Sequence, residues 1–160
     1  MIAWADWIAG AVLIGSALVG GIFFAFSTFV MGALSQLKDE VAITTMQSIN
    51  RVVINPWFLG VFMGTAALSL VLIMVTMLDS EGASVGLIAS VLCYIVGTFM
   101  VTIFANVPLN NRLASLPADA TSSHDYWHHY LKHWTRWNHI RTVAALLCAT
   151  LILIDGGGHA

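Results

Sequence analysis

The chain has 160 residues, of which 59% are hydrophobic and 9% are charged, and its mean hydropathy is +0.86. Soluble domains carry about 25% charged residues, so this composition excludes an ordinary soluble domain and predicts an integral membrane protein. We expect the lipid bilayer as its surroundings and no nucleic acid as a partner.

Four apolar runs are long enough to cross a bilayer, because about 20 helical residues span a hydrocarbon core of about 30 Å. The runs extend from Trp7 to Leu34, Pro56 to Leu78, Ser84 to Val107 and Trp134 to Ile154. They predict an all-α fold, a four-helix membrane bundle that forms one domain over residues 1–160. The first run is too long for a cleavable signal peptide and has acidic Asp6 in place of a basic leader, so we expect it to be the first span.

The outer half of the first span is rich in small residues. Gly15 and Gly20 each follow another small residue by four positions, a spacing that lets neighbouring helices approach closely. Gly60 and Gly64 predict a second close-packing face on the second span. A homo-oligomer, if one forms, is expected to use such small-residue faces.

The inner half of the same span is aromatic. Phe23, Phe24, Phe26 and Phe29 surround Ser27, and this composition predicts an aromatic-lined space between the helices near this end. The alternative is that these rings face lipid.

A short amphipathic helix is predicted before the second span. Ile43, Met46 and Asn50 share one helical face in a segment too polar to cross the membrane, so this helix should lie along the inner interface. Asn55 followed by Pro56 is typical of an N-cap and a first-turn proline. Capping is the favoured role of Asn55, and ligand binding is the alternative.

Amides cluster where the third span ends. Pro108 is expected to stop the helix, and Asn110 and Asn111 follow it. Asn106 differs from these loop residues, because it falls where the helix still lies inside the headgroup boundary.

One stripe of the fourth helix combines aromatic, amide and cationic side chains. The residues of this stripe follow one another at alternating spacings of four and three, which places them on one face of a helix. They are Trp127, Leu131, Trp134, Asn138, Arg141 and Ala145. Such a stripe should face protein. A buried guanidinium needs partners, and the neutral acceptors expected for Arg141 are Asn138, Asn106 and Asn50.

Histidines occupy another face of this helix. His124, His128, His129 and His133 include pairs four residues apart, which can share a metal ion. At 100° per residue, however, all but His124 project about 100° or more away from the stripe, and the four do not converge. A solvated histidine face is therefore favoured, and metal binding is the alternative.

The basic residues all fall on one side of the predicted bundle. They are Lys38, Arg51, Arg112, Lys132, Arg136 and Arg141. The opposite side carries acidic residues and no Lys or Arg. The positive-inside rule therefore predicts a multi-pass protein of the cell membrane, with cytoplasmic basic connections and both termini outside.

Four blocks stand out along the chain: GIFFAFSTFVMGAL, MQSINRVVINPWF, NVPLNNRLA and WTRWNHIRT. In this order and with these spacings they resemble the anthrone oxygenase family of small four-span membrane proteins. The family's shared positions correspond here to Asn50, Asn55, Pro56, Asn106, Pro108, Asn110, Trp134, Trp137, Asn138 and Arg141. The four histidines are not among these positions.

The resemblance implies a cofactor-free oxygenase. Fungal members of the family act in polyketide pathways and oxidise an anthrone to an anthraquinone with molecular oxygen and no recognised cofactor, whereas many bacterial members have no assigned substrate. For this chain the resemblance implies a monooxygenase-type oxidoreductase whose partner is a small, flat, hydrophobic and enolisable aromatic substrate.

Polar residues from all four spans are expected to converge on one site at the inner end of the bundle. The expected catalytic residues, which would hold a developing oxyanion, are Arg141, Asn138 and Asn106. The expected substrate-binding residues are Trp134, Trp137, Asn50, Asn55, Asn110, Ser27 and Phe24. The base is unidentified, and His124, His133 and water are the candidates.

Three alternatives stay open. The chain could be a histidine-ligated metal or haem redox protein, or a non-catalytic membrane subunit or small-molecule binder. The polar residues could also form an interhelical hydrogen-bond network that serves packing alone.

We predict that both termini are extracytoplasmic. A reporter that is active only in the cytoplasm, fused after Ala160, should be silent, because no Lys or Arg on the terminal side opposes the charge bias. An active fusion would reverse the topology and place the site at the outer face.

Overall fold

A computed structural model describes residues 3–78 and 82–157. The α-helices are α1 (Ala3–Ala25), α2 (Met31–Leu34), α3 (Asp39–Val52), α4 (Pro56–Met77), α5 (Val85–Leu92), α6 (Val107–Ala114) and α7 (Thr121–Gly157). Wider π-helical segments are present at Phe26–Val30, Cys93–Met100 and Thr102–Asn106. The described residues contain no strand.

Four continuous helical segments are long and apolar enough to cross a membrane. They are Trp4–Leu34, Pro56–Met77, Val85–Ala114 and Thr121–Gly156. The first span joins α1 to α2 through a π-helical turn, and the third joins α5 to α6 through two such segments. The chain is a multi-pass membrane protein with the predicted all-α bundle fold. Of the acidic residues on the side opposite the basic connections, Asp79 and Glu81 lie outside the described residues.

The four spans form a closed ring. α1 packs between α4 and α7, and the third span contacts both α4 and α7 on the opposite side. The resulting interior is apolar at the end that holds the chain termini, where Val12, Leu72, Tyr94 and Cys148 belong to one buried cluster.

The predicted amphipathic helix is α3. Ile43 and Met46 on its apolar face are fully buried and belong to the same cluster as Trp127 and Tyr130 of α7. α3 also contacts α6. It therefore covers the inner end of the bundle beside the third span and α7.

Small residues set how closely the spans approach. A Cβ added at Gly15 would collide with Thr65 of α4, and one at Gly20 would crowd Leu146 of α7, so the outer half of the first span packs closely as predicted. Gly60 and Gly64 have open space beside them. The second close-packing face predicted on α4 is therefore wrong for contacts within the described chain.

Pro108 does not end the third span, contrary to expectation. The helix continues through Pro108 to Ala114. Just before the proline, the backbone is π-helical, and the N–H of Val107 donates to Thr102 five residues back. A wider turn at this point accommodates a residue that has no N–H and whose ring would crowd the preceding α-helical turn.

The fourth helix begins at Thr121 rather than at Trp134. Its 37 residues are about 55 Å long, which exceeds a hydrocarbon core of about 30 Å. Trp127, Asn138 and Ala145 are at most 1% exposed. The predicted stripe therefore faces protein both inside and outside the apolar run.

We predict that Gly97→Ala destabilises the bundle, because the new Cβ would stand 2.5 Å from Cβ of Ala144 on α7. Overpacking of this kind costs about 1–3 kcal/mol and should lower the midpoint of thermal unfolding in detergent. Gly64→Ala is the matched control, since nothing lies within 4 Å of its Cβ. Equal midpoints for the two variants would contradict close packing of the third span on α7.

Candidate functional site

A cavity of about 430 Å³ lies between the spans at the end of the bundle that carries the basic connections. Its aromatic lining residues are Phe23, Phe26, Phe58, Phe62, Phe99 and Trp134. Its polar lining residues are Gln47, Asn50, Arg51, Thr102, Asn110, Asn111 and Arg141. A largely apolar cavity of this size with a few convergent polar groups is typical of a small-molecule site.

The rim of this cavity reaches the outer surface of the bundle. Ile22, Met63 and Ile103 line the cavity and are 41%, 54% and 41% exposed. They belong to the first, second and third spans, so the cavity opens toward the lipid between these helices. A larger groove of about 700 Å³ lies between the third span and α7. It is lined mainly by aliphatic side chains, together with Cys93, Gly97 and His139, which is typical of a lipid-facing surface.

Arg141 places a buried cation in the wall of the cavity. Its side chain is 4% exposed, and the guanidinium carbon lies 4.0 Å from the ring centroid of Phe23 and 5.2 Å from that of Trp134. Cation–π contacts of this kind partly replace lost hydration. Among the described residues the one salt bridge joins His128 to Asp39. Arg141 therefore has no carboxylate partner in the described part of the chain.

Two side chains accept hydrogen bonds from the guanidinium. Nη2 donates to Oδ1 of Asn138 at 2.7 Å, and Nη1 donates to Oγ1 of Thr102 at 3.2 Å. Asn138 was expected as an acceptor. Asn106 and Asn50 do not accept from Arg141, and in this respect the expectation is wrong. The bonds of these two amides are made by Nδ2, which donates to the Trp134 carbonyl in Asn106 and to Tyr130 Oη in Asn50, and neither Oδ1 meets the guanidinium.

Asn138 holds Arg141 against the first span. Its Nδ2 donates to the carbonyl of Phe23 at 2.7 Å and to Oγ of Ser27 at 2.8 Å, while its Oδ1 accepts from the guanidinium. Asn138 is fully buried behind the cavity wall. Both of its N–H groups are already used, so it positions Arg141 and is not free to donate to a ligand. Ser27 in turn supports Asn138 by accepting its hydrogen bond, and its Oγ also pairs with Oγ1 of Thr142.

The residues around Arg141 come in part from π-helical segments. Ser27 lies in the segment Phe26–Val30, whereas Thr102 and Asn106 lie in Thr102–Asn106. π-helical turns inside α-helices are frequent at functional sites. Their positions were missed from the sequence, because nothing in its composition marks them.

Three buried polar atoms near Trp134 have no hydrogen-bond partner among the described residues. They are Oδ1 of Asn106, Nε1 of Trp134 and Nε of Arg141. Nδ2 of Asn106 donates to the Trp134 carbonyl at 3.2 Å, so this amide fixes the backbone beneath the indole. Most buried polar groups in proteins are paired, so these three unpaired atoms are an unusual concentration beside Trp134, and of the three residues Trp134 and Arg141 line the cavity.

A second polar group lies nearer the basic connections. Tyr130 donates to Oδ1 of Asn110 at 2.8 Å and accepts from Nδ2 of Asn50 at 3.4 Å. Asn50 and Asn110 line the cavity as predicted. Tyr130 is fully buried and was not predicted as a site residue, although it lies four residues before Trp134 on one helical face.

Two predicted cavity walls are misplaced. Phe24 is 52% exposed and Trp137 is 37% exposed, and neither belongs to the described lining of the cavity. One residue along a helix is a rotation of 100°, so Phe23 and Phe26 face the cavity while Phe24 faces outward. Trp134 is the indole that lines it.

Asn55 has the favoured role of a cap. Its Oδ1 accepts from the backbone N–H groups of Trp57 and Phe58 at 3.0 Å each, and its Nδ2 donates to the carbonyl of Val52. The described lining of the cavity does not include it. Its assignment to substrate binding is therefore corrected to capping of α4.

The four predicted histidines of α7 lie outside the described cavity lining. His128 and His129 are exposed, and the rings of His129 and His133 stack with centroids 4.2 Å apart. His124 is half-buried, and none of the four belongs to the described cavity lining. No three His, Cys, Asp or Glu side chains of the described residues are grouped to hold a metal. A solvated histidine face therefore stays the favoured prediction, and the histidine-ligated metal or haem protein stays the alternative.

Fold and cavity define a small multi-pass membrane protein with an aromatic-lined cavity and a buried arginine that has no carboxylate partner among the described residues. The family model described as anthrone oxygenase matches residues 57–151. This is more than half of the chain, and the chain belongs to that family. No match to a curated protein or to a solved structure was found.

We predict that the histidine face is dispensable. Changing His128, His129 and His133 together to Gln should leave folding and turnover within a few-fold of wild type, because these side chains lie outside the described cavity lining. Thermal unfolding, metal analysis and turnover of the purified variant check this. Loss of a bound metal together with activity would contradict it and favour the redox alternative.

Proposed function

We propose that the protein is a membrane-embedded oxygenase that oxidises a flat, enolisable aromatic substrate of the anthrone type with molecular oxygen and without a cofactor. The observation that carries this proposal is the buried guanidinium of Arg141, which borders an aromatic cavity and has no carboxylate partner among the described residues. Membership of the anthrone oxygenase family supports it.

The charges of the cavity favour a ligand that becomes anionic. Arg141 and Arg51 line it, and its described lining contains no Asp or Glu. Deprotonation of the acidic carbon–hydrogen bond of an anthrone gives an enolate, whose charge rests largely on the ketone oxygen. A preorganised cation beside that oxygen lowers the free energy of the enolate relative to the ketone.

The enolate then supplies the electrons for the reaction with oxygen. One oxygen atom becomes the new carbonyl of the quinone, and the other leaves as water together with the two hydrogens of the oxidised carbon. The balance closes without a further reductant, so the chemistry required of the protein is to bind the substrate, stabilise the oxyanion and let a proton leave.

In this proposal the polar residues have different roles. Arg141 faces the developing oxyanion, and Asn138 and Thr102 hold its guanidinium in place. Asn106 supports the indole of Trp134, which is one face of the binding site. His124 and His133 lie away from the described lining, so water is the proton acceptor that we propose.

The predicted orientation of the protein in the membrane is also part of this proposal. With the basic connections in the cytoplasm of a cell-membrane protein, the amide end of the cavity lies near the cytoplasmic interface and Arg141 lies deeper. The substrate and product remain within or beside the membrane during turnover.

A non-catalytic binder of the same aromatic anions is the second candidate function, because the described cavity lining holds no carboxylate or histidine to serve as a base. Oxygen uptake separates the two functions. The oxygenase consumes oxygen with anthrone and forms anthraquinone faster than the spontaneous reaction, whereas the binder retains anthrone without turnover.

We predict that Arg141→Lys folds but loses about tenfold or more of its anthrone oxidation, because an ammonium cannot reproduce the planar fork that contacts both Asn138 and Thr102. Arg141→Leu should unfold at the same or a higher temperature and have no activity, since it removes a buried charge. Anthraquinone formation and thermal unfolding are measured together.

Arg136→Leu is the matched control for these variants. Arg136 is an exposed arginine on the same helix and does not belong to the described cavity lining, so its loss should leave turnover unchanged. Activity of Arg141→Leu at the wild-type level would contradict the role of Arg141 in stabilising an oxyanion. It would favour the interpretation that the polar residues form a hydrogen-bond network that serves packing alone.

A further inference from the structure

One buried hydroxyl stands behind the two amides of the cavity. Tyr130 Oη donates to Oδ1 of Asn110 at 2.8 Å and accepts from Nδ2 of Asn50 at a longer 3.4 Å. Tyr130 is fully buried, whereas both amides line the cavity. The tyrosine therefore holds each amide by one end and leaves the other end for a ligand.

The Tyr130 hydroxyl has a single proton, and this determines which polar atoms of the two amides stay free for a ligand in the cavity. A phenol can donate to one amide oxygen only, so the second amide must turn its NH2 group toward it. The amide that accepts from Tyr130 keeps a free NH2 group, and the amide that donates to it keeps a free carbonyl oxygen and its second N–H. In this structure the free NH2 group is Nδ2 of Asn110 and the free oxygen is Oδ1 of Asn50, and neither atom bonds to another described residue.

The amide end and the cationic end of the cavity lie to either side of Trp134. Tyr130 and Arg141 are eleven residues apart on α7, and both side chains approach the indole. Trp134 lies between them, with its ring centroid 6.0 Å from that of Tyr130 and 5.2 Å from the guanidinium carbon. A planar ligand that lies along the indole would meet one polar group at each end.

We propose that Tyr130 is a positioning residue that makes the amide end selective for a hydroxyl group of the ligand. A ligand hydroxyl can accept from the free NH2 group of one amide and donate to the free carbonyl oxygen of the other, so it pairs with both amides. An ether or ketone oxygen only accepts, and it leaves the carbonyl oxygen unpaired. The inference rests on the proposed function in taking this cavity as the ligand site and Arg141 as its anionic end.

The test compares 6-hydroxy-2-naphthoate with 6-methoxy-2-naphthoate. Both carry a carboxylate that can contact Arg141. They differ only at position 6, where one has a hydroxyl group and the other a methoxy group. Their dissociation constants are measured by naphthalene fluorescence, without oxygen, on the full chain in lipid nanodiscs. We expect the wild type to bind the hydroxy probe about tenfold or more tightly than the methoxy probe, the ratio for one unpaired polar group.

Tyr130→Phe should lower this ratio to below about threefold, because both amides can then rotate to suit an accepting oxygen. Tyr126→Phe is the matched control. Its hydroxyl lies one turn earlier on α7 and donates to the carbonyl of Leu109 at 3.2 Å, outside the described cavity lining, so the ratio should stay as in wild type. A purely structural role of Tyr130 would weaken both probes equally and leave the ratio unchanged.

A wild-type ratio near one overturns the inference, and this result needs no variant to fold. A tenfold ratio that persists in Tyr130→Phe overturns it as well, and so does failure of both probes to bind. Failure of the proposed function looks different, because anthrone would then not be turned over with oxygen while the two naphthoates still bind with the expected ratio.

Discussion

The side-chain amide of Asn138 is the interaction on which both the bundle and the site depend. Two N–H groups fasten α7 to the first span through Phe23 and Ser27, and the oxygen fixes the guanidinium of Arg141. Hydrogen bonds in a low-dielectric interior are strong when complete and costly when broken. The same atoms that bring two spans together therefore also orient the cation, so the packing of the spans and the placement of Arg141 are not separate in this part of the molecule.

The environment of Arg141 explains how a charge is tolerated there without a carboxylate. Phe23 and Trp134 lie against its guanidinium, and Asn138 and Thr102 accept two of its hydrogen bonds. Neutral acceptors and aromatic faces lower the cost of burial but leave the positive potential in place. An acidic neighbour would have removed that potential and, with it, the basis of the anionic ligand that we propose.

Periodicity predicted the parts of the structure that depend on a single helix. The buried stripe of α7 and the contact between Asn138 and Arg141, three residues apart, follow from helical geometry alone. Contacts between helices were harder, because they depend on rotation and axial register. Phe23 rather than Phe24 faces the cavity, and Thr102 rather than Asn106 meets the guanidinium, in a region where π-helical segments change the register.

Hydropathy and helix-breaking rules failed for identifiable reasons. The start of α7 at Thr121 is polar and lies beyond the apolar run, but its inner face packs on α3, so tertiary contacts stabilise a helix that hydropathy does not reveal. Pro108 was predicted to stop the third span, whereas the preceding π-helical turn accommodates it. Each failure involves the polar end of a span, where the cavity also lies.

The exposed rim at Ile22, Met63 and Ile103 links the cavity to the hydrocarbon phase of the membrane. For an apolar aromatic compound, the bilayer is a solvent in which the compound concentrates relative to water. Occupancy of the site would then follow the amount of ligand partitioned into the lipid rather than its aqueous concentration. Supply and removal would occur by lateral diffusion between helices, and lipid composition itself would influence how fully the protein is loaded.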